Sequence, residues 1–162
     1  MVDEQLVRQA MREAVQAAVP GITCHSWPVV LSGPDQSAAL GLFISGVPRY
    51  AFVHGAEGTV SRLSSNQGGV NTRSFQYEIV FLRALNHDGS GYEEIRADAG
   101  AFLDYIESKP LNEIFDPLLL GGGIRLEREY QIKHDRALVE HLGLMERITV
   151  TLTLSWRARR AS

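Results

Sequence analysis

An α+β fold is predicted for this 162-residue chain: a mostly antiparallel or mixed sheet, two helices packed on it, and a long hairpin loop. Three features predict it. Residues Ile148 to Arg157 alternate apolar and polar side chains without a break, and a second alternating run covers Phe75 to Phe81. Two stripes of apolar residues at helical spacing accompany these strands, one at the N-terminus and one from Glu93 to Glu107.

In chain order, residues 3–19 read as a helix. Leu6, Ala10, Ala14 and Ala17 recur at helical spacing, with Val7, Met11, Val15 and Ala18 beside them. Asp3 is placed to cap its start, and Pro20-Gly21 stops it. Thr23 to Leu31 reads as extended, with Pro28 favouring an edge or irregular strand, and Gly33-Pro34-Asp35 as a turn. Ala39 to Ile44 and Tyr50 to His54 read as strands separated by Gly46-Val47-Pro48. Gly55 to Asn71 is rich in serine and glycine, with Val60 and Leu63 as scattered anchors, and is expected to be a hairpin with a mobile loop over about 55–73.

The second half is more regular. Phe75, Tyr77, Ile79 and Phe81 alternate with Gln76, Glu78, Val80 and Leu82, a strand that becomes buried on both faces toward its end. After the turn cluster Asn86 to Gly91, Ser90-Gly91-Tyr92-Glu93 matches a capping box. The helix that follows carries Ile95, Ala99, Phe102 and Ile106 on one stripe and ends before Pro110. Gly121-Gly122-Gly123 reads as an elbow. Ile124, Leu126, Tyr130 and Ile132 alternate with Arg125, Glu127, Glu129 and Gln131 as a half-buried strand. Asp135 to Leu142 is expected as a short amphipathic helical piece, or a loop packed through Leu138 and Leu142. In the final strand Ile148, Val150, Leu152, Leu154 and Trp156 share one face, and Thr149, Thr151, Thr153, Ser155 and Arg157 the other. Residues 157–162 are expected to form a basic tail, and residues 1–162 a single domain.

Composition narrows the function classes. At 44% hydrophobic and 22% charged residues the chain is globular. A lone cysteine, Cys24, rules out an internal disulfide framework. No uncharged apolar run approaches the ~20 residues of a membrane span, so no membrane partner is expected. Asp3 and Glu4 stand where a signal peptide would carry positive charge, so none is expected. A formal charge of −3 gives no general reason to bind nucleic acid.

The catalytic and ligand-binding motifs are mostly failures. Ile124-Arg125 follows the triple glycine where a phosphate loop needs Lys-Ser/Thr, and Leu126 stands where a dinucleotide fingerprint needs glycine. His25, His54, His87, His134 and His141 form neither HxxxH nor HExxH, so no metal site is expected. His87-Asp88 and His134-Asp135 read as solvated turn residues. Ser45, Ser90 and Cys24 lack a nucleophile elbow, and Ser90 is explained as a helix cap. Glu93, Glu94, Glu127 and Glu129 read as helix-dipole and surface-pair carboxylates. No catalytic residue, cofactor or metal is therefore expected. Of the 16 cationic residues only Lys109 and Lys133 are lysines, leaving 14 arginines, a type suited to bidentate contacts at protein interfaces or to phosphate.

Gln5 to Pro20, Phe75 to Leu85, Glu93 to Glu107 and the threonine-rich strand Ile148 to Arg157, taken in this order, resemble the tail terminator (tail completion) proteins of long-tailed bacteriophages. The resemblance implies a structural virion subunit without an active site, assembled in the host cytoplasm. It implies a hexameric ring of identical copies that caps the tail tube, ends its polymerisation and joins the tail to the head-side connector or stopper, with DNA passing through the ring. The interface residues expected on this basis are Ser64, Ser65, Asn66, Gln67 and Arg73 in the hairpin, and Thr149, Thr151, Thr153 and Arg157 on the last strand. The threonine ladder is expected to line the lumen, to pair with a neighbour's strand, or to be simply solvated. Another neck protein or a tail tube subunit is the alternative of the same class. Alternatives of other classes are a small α+β enzyme or ligand-binding domain, and a nucleic-acid module using Arg157, Arg159 and Arg160.

Overall fold

Helix α1, Glu4–Ala18, buries Val7, Ala10, Met11, Ala14 and Val15, a stripe of small and medium side chains that lets the helix lie close to a sheet. Ala17, expected on that stripe, is exposed, so the buried face is centred on Val7, Met11 and Val15. The helix ends as its sequence dictates: Val19 N–H still donates to Val15 O at 2.9 Å, and Gly21 then takes φ +84°, a left-handed conformation suited to glycine. The computed structural model describes residues 4–25, 49–62, 70–84, 90–108, 125–126, 130–139 and 143–159. The expectations for residues 26–48 and for the triple glycine lie outside the described residues.

Among the described residues six strands follow: β1 (Thr23–His25), β2 (Arg49–Arg62), β3 (Val70–Ala84), β4 (Arg125–Leu126), β5 (Gln131–Val139) and β6 (Gly143–Arg159), with α2 (Ser90–Ser108) between β3 and β4. They form one mixed sheet in the order β1-β2-β3-β6-β4, and β5 also pairs with β6. β1 is parallel to β2, and every other pairing is antiparallel. The fold is therefore the α+β arrangement read from the sequence.

β3 and β6 pair without a register break from Val70↔Arg159 to Ala84↔Met145. This pairing fixes the two faces of the sheet. Tyr77, Ile79 and Phe81 lie level with Leu152, Val150 and Ile148, all essentially buried beneath the helices. Phe81 meets Phe102 of α2 with ring centroids 6.1 Å apart, and Phe75 stacks on Trp156 at 5.4 Å. On α2 the buried stripe is Ile95, Ala99, Phe102 and Ile106, as its spacing requires. The helix starts at Ser90, one residue before the start its capping signal indicates, and ends at Ser108, before Pro110 as expected. Val80 and Leu82, on the other face, are also buried, so the end of β3 is covered on both sides.

Three boundaries differ from expectation. The segment 55–73 is strand at both ends: β2 runs to Arg62, β3 starts at Val70, and a one-residue bulge falls between Gly55 and Glu57. Asp135 to Val139 is not helical but the second half of β5, paired with Gly143 to Arg147, and residues 140–142 of that expectation lie outside the described residues. The alternation Ile132, His134, Arg136 places polar residues on the helix-bearing side of the sheet, which disguises the strand in the sequence. Arg157 and Arg159 belong to β6, opposite Thr72 and Val70, rather than to a tail.

Candidate functional site

The inward-facing register of β6 begins with a charge. Two residues before Ile148 the same face carries Glu146, only 1% exposed. Its cross-strand neighbours are Arg83 on β3 and Arg136 on β5, so the carboxylate stands between two guanidinium-bearing positions. A buried carboxylate persists in a fold only when paired and hydrogen-bonded. Glu146 meets that condition: Arg136 Nε donates to Oε1 at 3.2 Å, and His134 Nε2 lies 2.8 Å from Oε2.

Helix α2 completes the cluster from above. Its Asp98, 4% exposed, lies 3.6 Å from Arg83 Nη1, and Glu94 pairs with Arg83 Nη2. The ring of Tyr92 stacks on His134 with centroids 4.7 Å apart, and Arg96 lies over the same tyrosine ring at 5.6 Å. Tyr92, Arg96, His134, Asp135, Arg136 and Glu146 line a shallow open depression at the β5 edge. Within it His134 Nδ1 is buried without a hydrogen-bond partner among the described residues.

The opposite face of the same hairpin is pinned by one bidentate pair, with Arg147 Nε and Nη2 donating to the two Asp135 oxygens at 2.8 and 2.7 Å. The hydrogen bond from Arg147 holds the Asp135 carboxyl below its usual value, and the same bond pushes Arg147 up. At the other edge of the sheet Cys24 is buried. Loss of solvation pushes its thiol up to about 12, against a smaller opposing effect of the Arg12 charge. His25, its neighbour on the other side of β1, is pushed down first by desolvation and then by Arg12.

Of the residues expected at an interface, the described ones fall on both faces of the sheet. Ser64, Ser65, Asn66 and Gln67 lie outside the described residues. Arg73 sits on β3 opposite Trp156, on the helix-bearing side, half-buried, and its Nε is buried without a partner among the described residues. Thr149, Thr151 and Thr153 are half-buried on the other side of the sheet. Arg157 continues their register opposite Thr72. Thr149 and Thr151 are flanked by β3 on one side and β5 on the other, so their backbone groups are taken within the subunit. At Thr149 and Thr151, therefore, side chains and not a sheet edge are what the ladder offers a neighbour.

His134 and Glu146 were legible as a pair only through register. Extending the period-two pattern of β6 back from Ile148 puts Glu146 inward, and an inward glutamate demands partners. His134-Asp135, expected as solvated turn residues, are strand residues instead, one bonded to Glu146 and the other to Arg147. Among the described residues no group of three or more His, Cys, Asp or Glu is arranged to hold a metal ion, and no helix is long and apolar enough to cross a membrane.

No protein-family model and no curated protein matches this chain. Among solved structures, a chain from a structure titled "Virion of native gene transfer agent (GTA) particle" aligns with 94% of this chain and 95% of its own length. The two are 16% identical and superpose with a TM-score of 0.44, a level of likeness that carries no argument about role.

Proposed function

We propose that this protein is a structural subunit of a phage-like virion, and specifically that it forms a ring that caps the tail tube, ends its growth and joins the tail to the head-side connector. The observation that carries the reading is a sheet dressed with helices on one face and extended by long strands. β2, β3 and β6 have 14, 15 and 17 residues, and at ~3.4 Å per residue β6 reaches on the order of 55 Å. The element order, an N-terminal helix, a long hairpin, a second helix and a long threonine-bearing last strand, is the order on which the resemblance to tail terminators rests.

Two physical features support assembly over catalysis. The buried ionisable groups at the β5 edge are engaged with one another: Glu146 is held by Arg136 and His134, and Asp98 by Arg83. Such a set rigidifies the join between helix and sheet rather than leaving a base or nucleophile poised. On the other face the half-buried threonine ladder presents hydroxyls beside one charge of each sign, Lys133 level with Thr149 and Glu78 level with Thr151, a surface suited to a lumen through which DNA passes without adhering. Partners on this reading are further copies of the chain, the tail tube protein and the connector.

Polymerising tail tube protein with and without the purified chain, and measuring tube lengths by electron microscopy, tests the reading. Shorter tubes ending in a ring are expected. Tubes of unchanged length with bare ends would refute it.

A further inference from the structure

Tyr92 and Ile132 are the large hydrophobic side chains left exposed among the described residues, 41% and 54% respectively, and both neighbour His134. Tyr92 stacks on His134 of β5, and Ile132 is two residues before His134 on the same face of the same strand. Arg96 and the 58%-exposed Arg136 flank them. Nearby acids are mostly occupied: Glu146 by His134 and Arg136, Glu94 by Arg83, and Asp135 by Arg147. Glu93 alone is an exposed carboxylate in the adjoining first turn of α2. Arg96 has the Tyr92 hydroxyl at 3.5 Å and the tyrosine ring as its contacts. An aromatic, an aliphatic and arginines gathered on one spot form the composition of an interface centre.

The complementary surface is at the other end of the same helix. α2 starts over β5 through Tyr92, passes Arg83 of β3 at Glu94 and Asp98, packs Phe102 on Phe81, and lies beside α1. It thus crosses the sheet inward from the β5 edge. Its last turns expose Asp104 and Glu107, and the final turn holds no basic residue; Lys109 beyond it lies outside the described residues. The carboxyl end of the helix adds its own partial negative charge.

We infer that the Tyr92–Ile132–Arg96–Arg136 patch receives the acidic carboxyl end of α2 from a second copy of the chain. The contact joins two different surfaces, so it is head-to-tail, the kind that propagates and closes into a ring when the rotation permits. The inference rests on the ring reading above and supplies its adhesive contact.

Arg96→Glu and Glu107→Arg test it by sedimentation and light scattering, alone and in the presence of tubes. Both replace exposed side chains, so circular dichroism and thermal midpoint are expected to match the parent. Each single reversal is expected to weaken self-association at least about tenfold. The double reversal in one chain restores it, as does mixing the two single variants. Single reversals without effect, or a double reversal as weak as the singles, overturn the contact while rings that persist keep the ring reading. A parent chain that forms no ring alone or on tubes overturns both.

Discussion

Glu146 is the residue on which one end of the sheet depends. Its carboxylate is buried with two partners, so deleting it strands Arg136 and His134 and leaves a hole beside α2. Glu146→Ala is expected to lower stability by about 3–5 kcal/mol, the usual cost of removing one member of a buried pair. Glu146→Gln retains hydrogen-bonding capacity and is expected to cost less, and urea denaturation of the two variants checks the order. Cys24 behaves oppositely, as a small hydrophobe whose charge is suppressed. Its thiol is raised from an ordinary 9.0 to about 12 by burial. A raised folded-state value means that the stabilisation is complete below about 9 and is lost as pH climbs from there through about 12, because the unfolded chain ionises first. Cys24→Ala is therefore expected to flatten the alkaline limb of a stability–pH curve. In the parent, alkylation of the thiol at mildly alkaline pH is expected to proceed only through unfolding.

At the scale of elements, the hairpin β2–β3 separates folding from attachment. Leu63 and Val70 are the positions that the β2–β3 register would next bring together, since Arg62 faces Asn71. Replacing 64–69 with Asn-Gly gives a two-residue turn in that register. The shortened chain is expected to melt within a few degrees of the parent, while losing its hold on tail tubes in a co-sedimentation assay. Unchanged tube binding would remove the tip from the interface. The strands of this hairpin were only partly legible in the sequence. Tyr50 to His54 alternates well enough to read, but Gly55, Gly58 and Ser61 weaken the pattern, and the pairing with β3 sustains the strand regardless. β6 was legible over Ile148 to Arg157, where ten residues alternate cleanly, but not at Gly143 to Arg147 or at its last two residues. β5 was not, because two of the four positions on its helix-bearing side are His134 and Arg136, whose pairing depends on Glu146 twelve and ten residues away. Local pattern reveals apolar faces, whereas a polar inward face is visible only once its partner strand is known. The candidate interface residues suffered in the same way: their types were readable, but the register that sets Arg73 and Thr149 on opposite faces was not.

For the whole molecule, the sign and placement of charge decide between a conduit and a nucleic-acid binder. The net charge is −3, although 14 arginines are present. Several arginines are already committed inside the subunit: Arg83 to Glu94 and Asp98, Arg136 to Glu146, and Arg147 to Asp135. Guanidinium groups neutralised in this way cannot release counterions from a phosphate backbone, which is the source of most non-specific affinity for DNA. On the face bearing Thr149, Thr151 and Thr153 the cation level with Thr149, Lys133, lies 3.7 Å from Asp135, and Glu78 stands level with Thr151. A ring built with this face inward would let a duplex slide, because hydroxyls exchange hydrogen bonds with water at little net cost. Duplex DNA added to the purified chain at physiological salt is therefore expected to show no measurable binding in a fluorescence anisotropy titration. Thr149→Lys with Thr151→Lys is expected to create binding that falls steeply as salt is raised. Tight, salt-sensitive binding by the parent itself would instead favour a nucleic-acid module working through Arg157, Arg159 and Arg160, and would remove the physical basis for placing the threonine ladder along a passage.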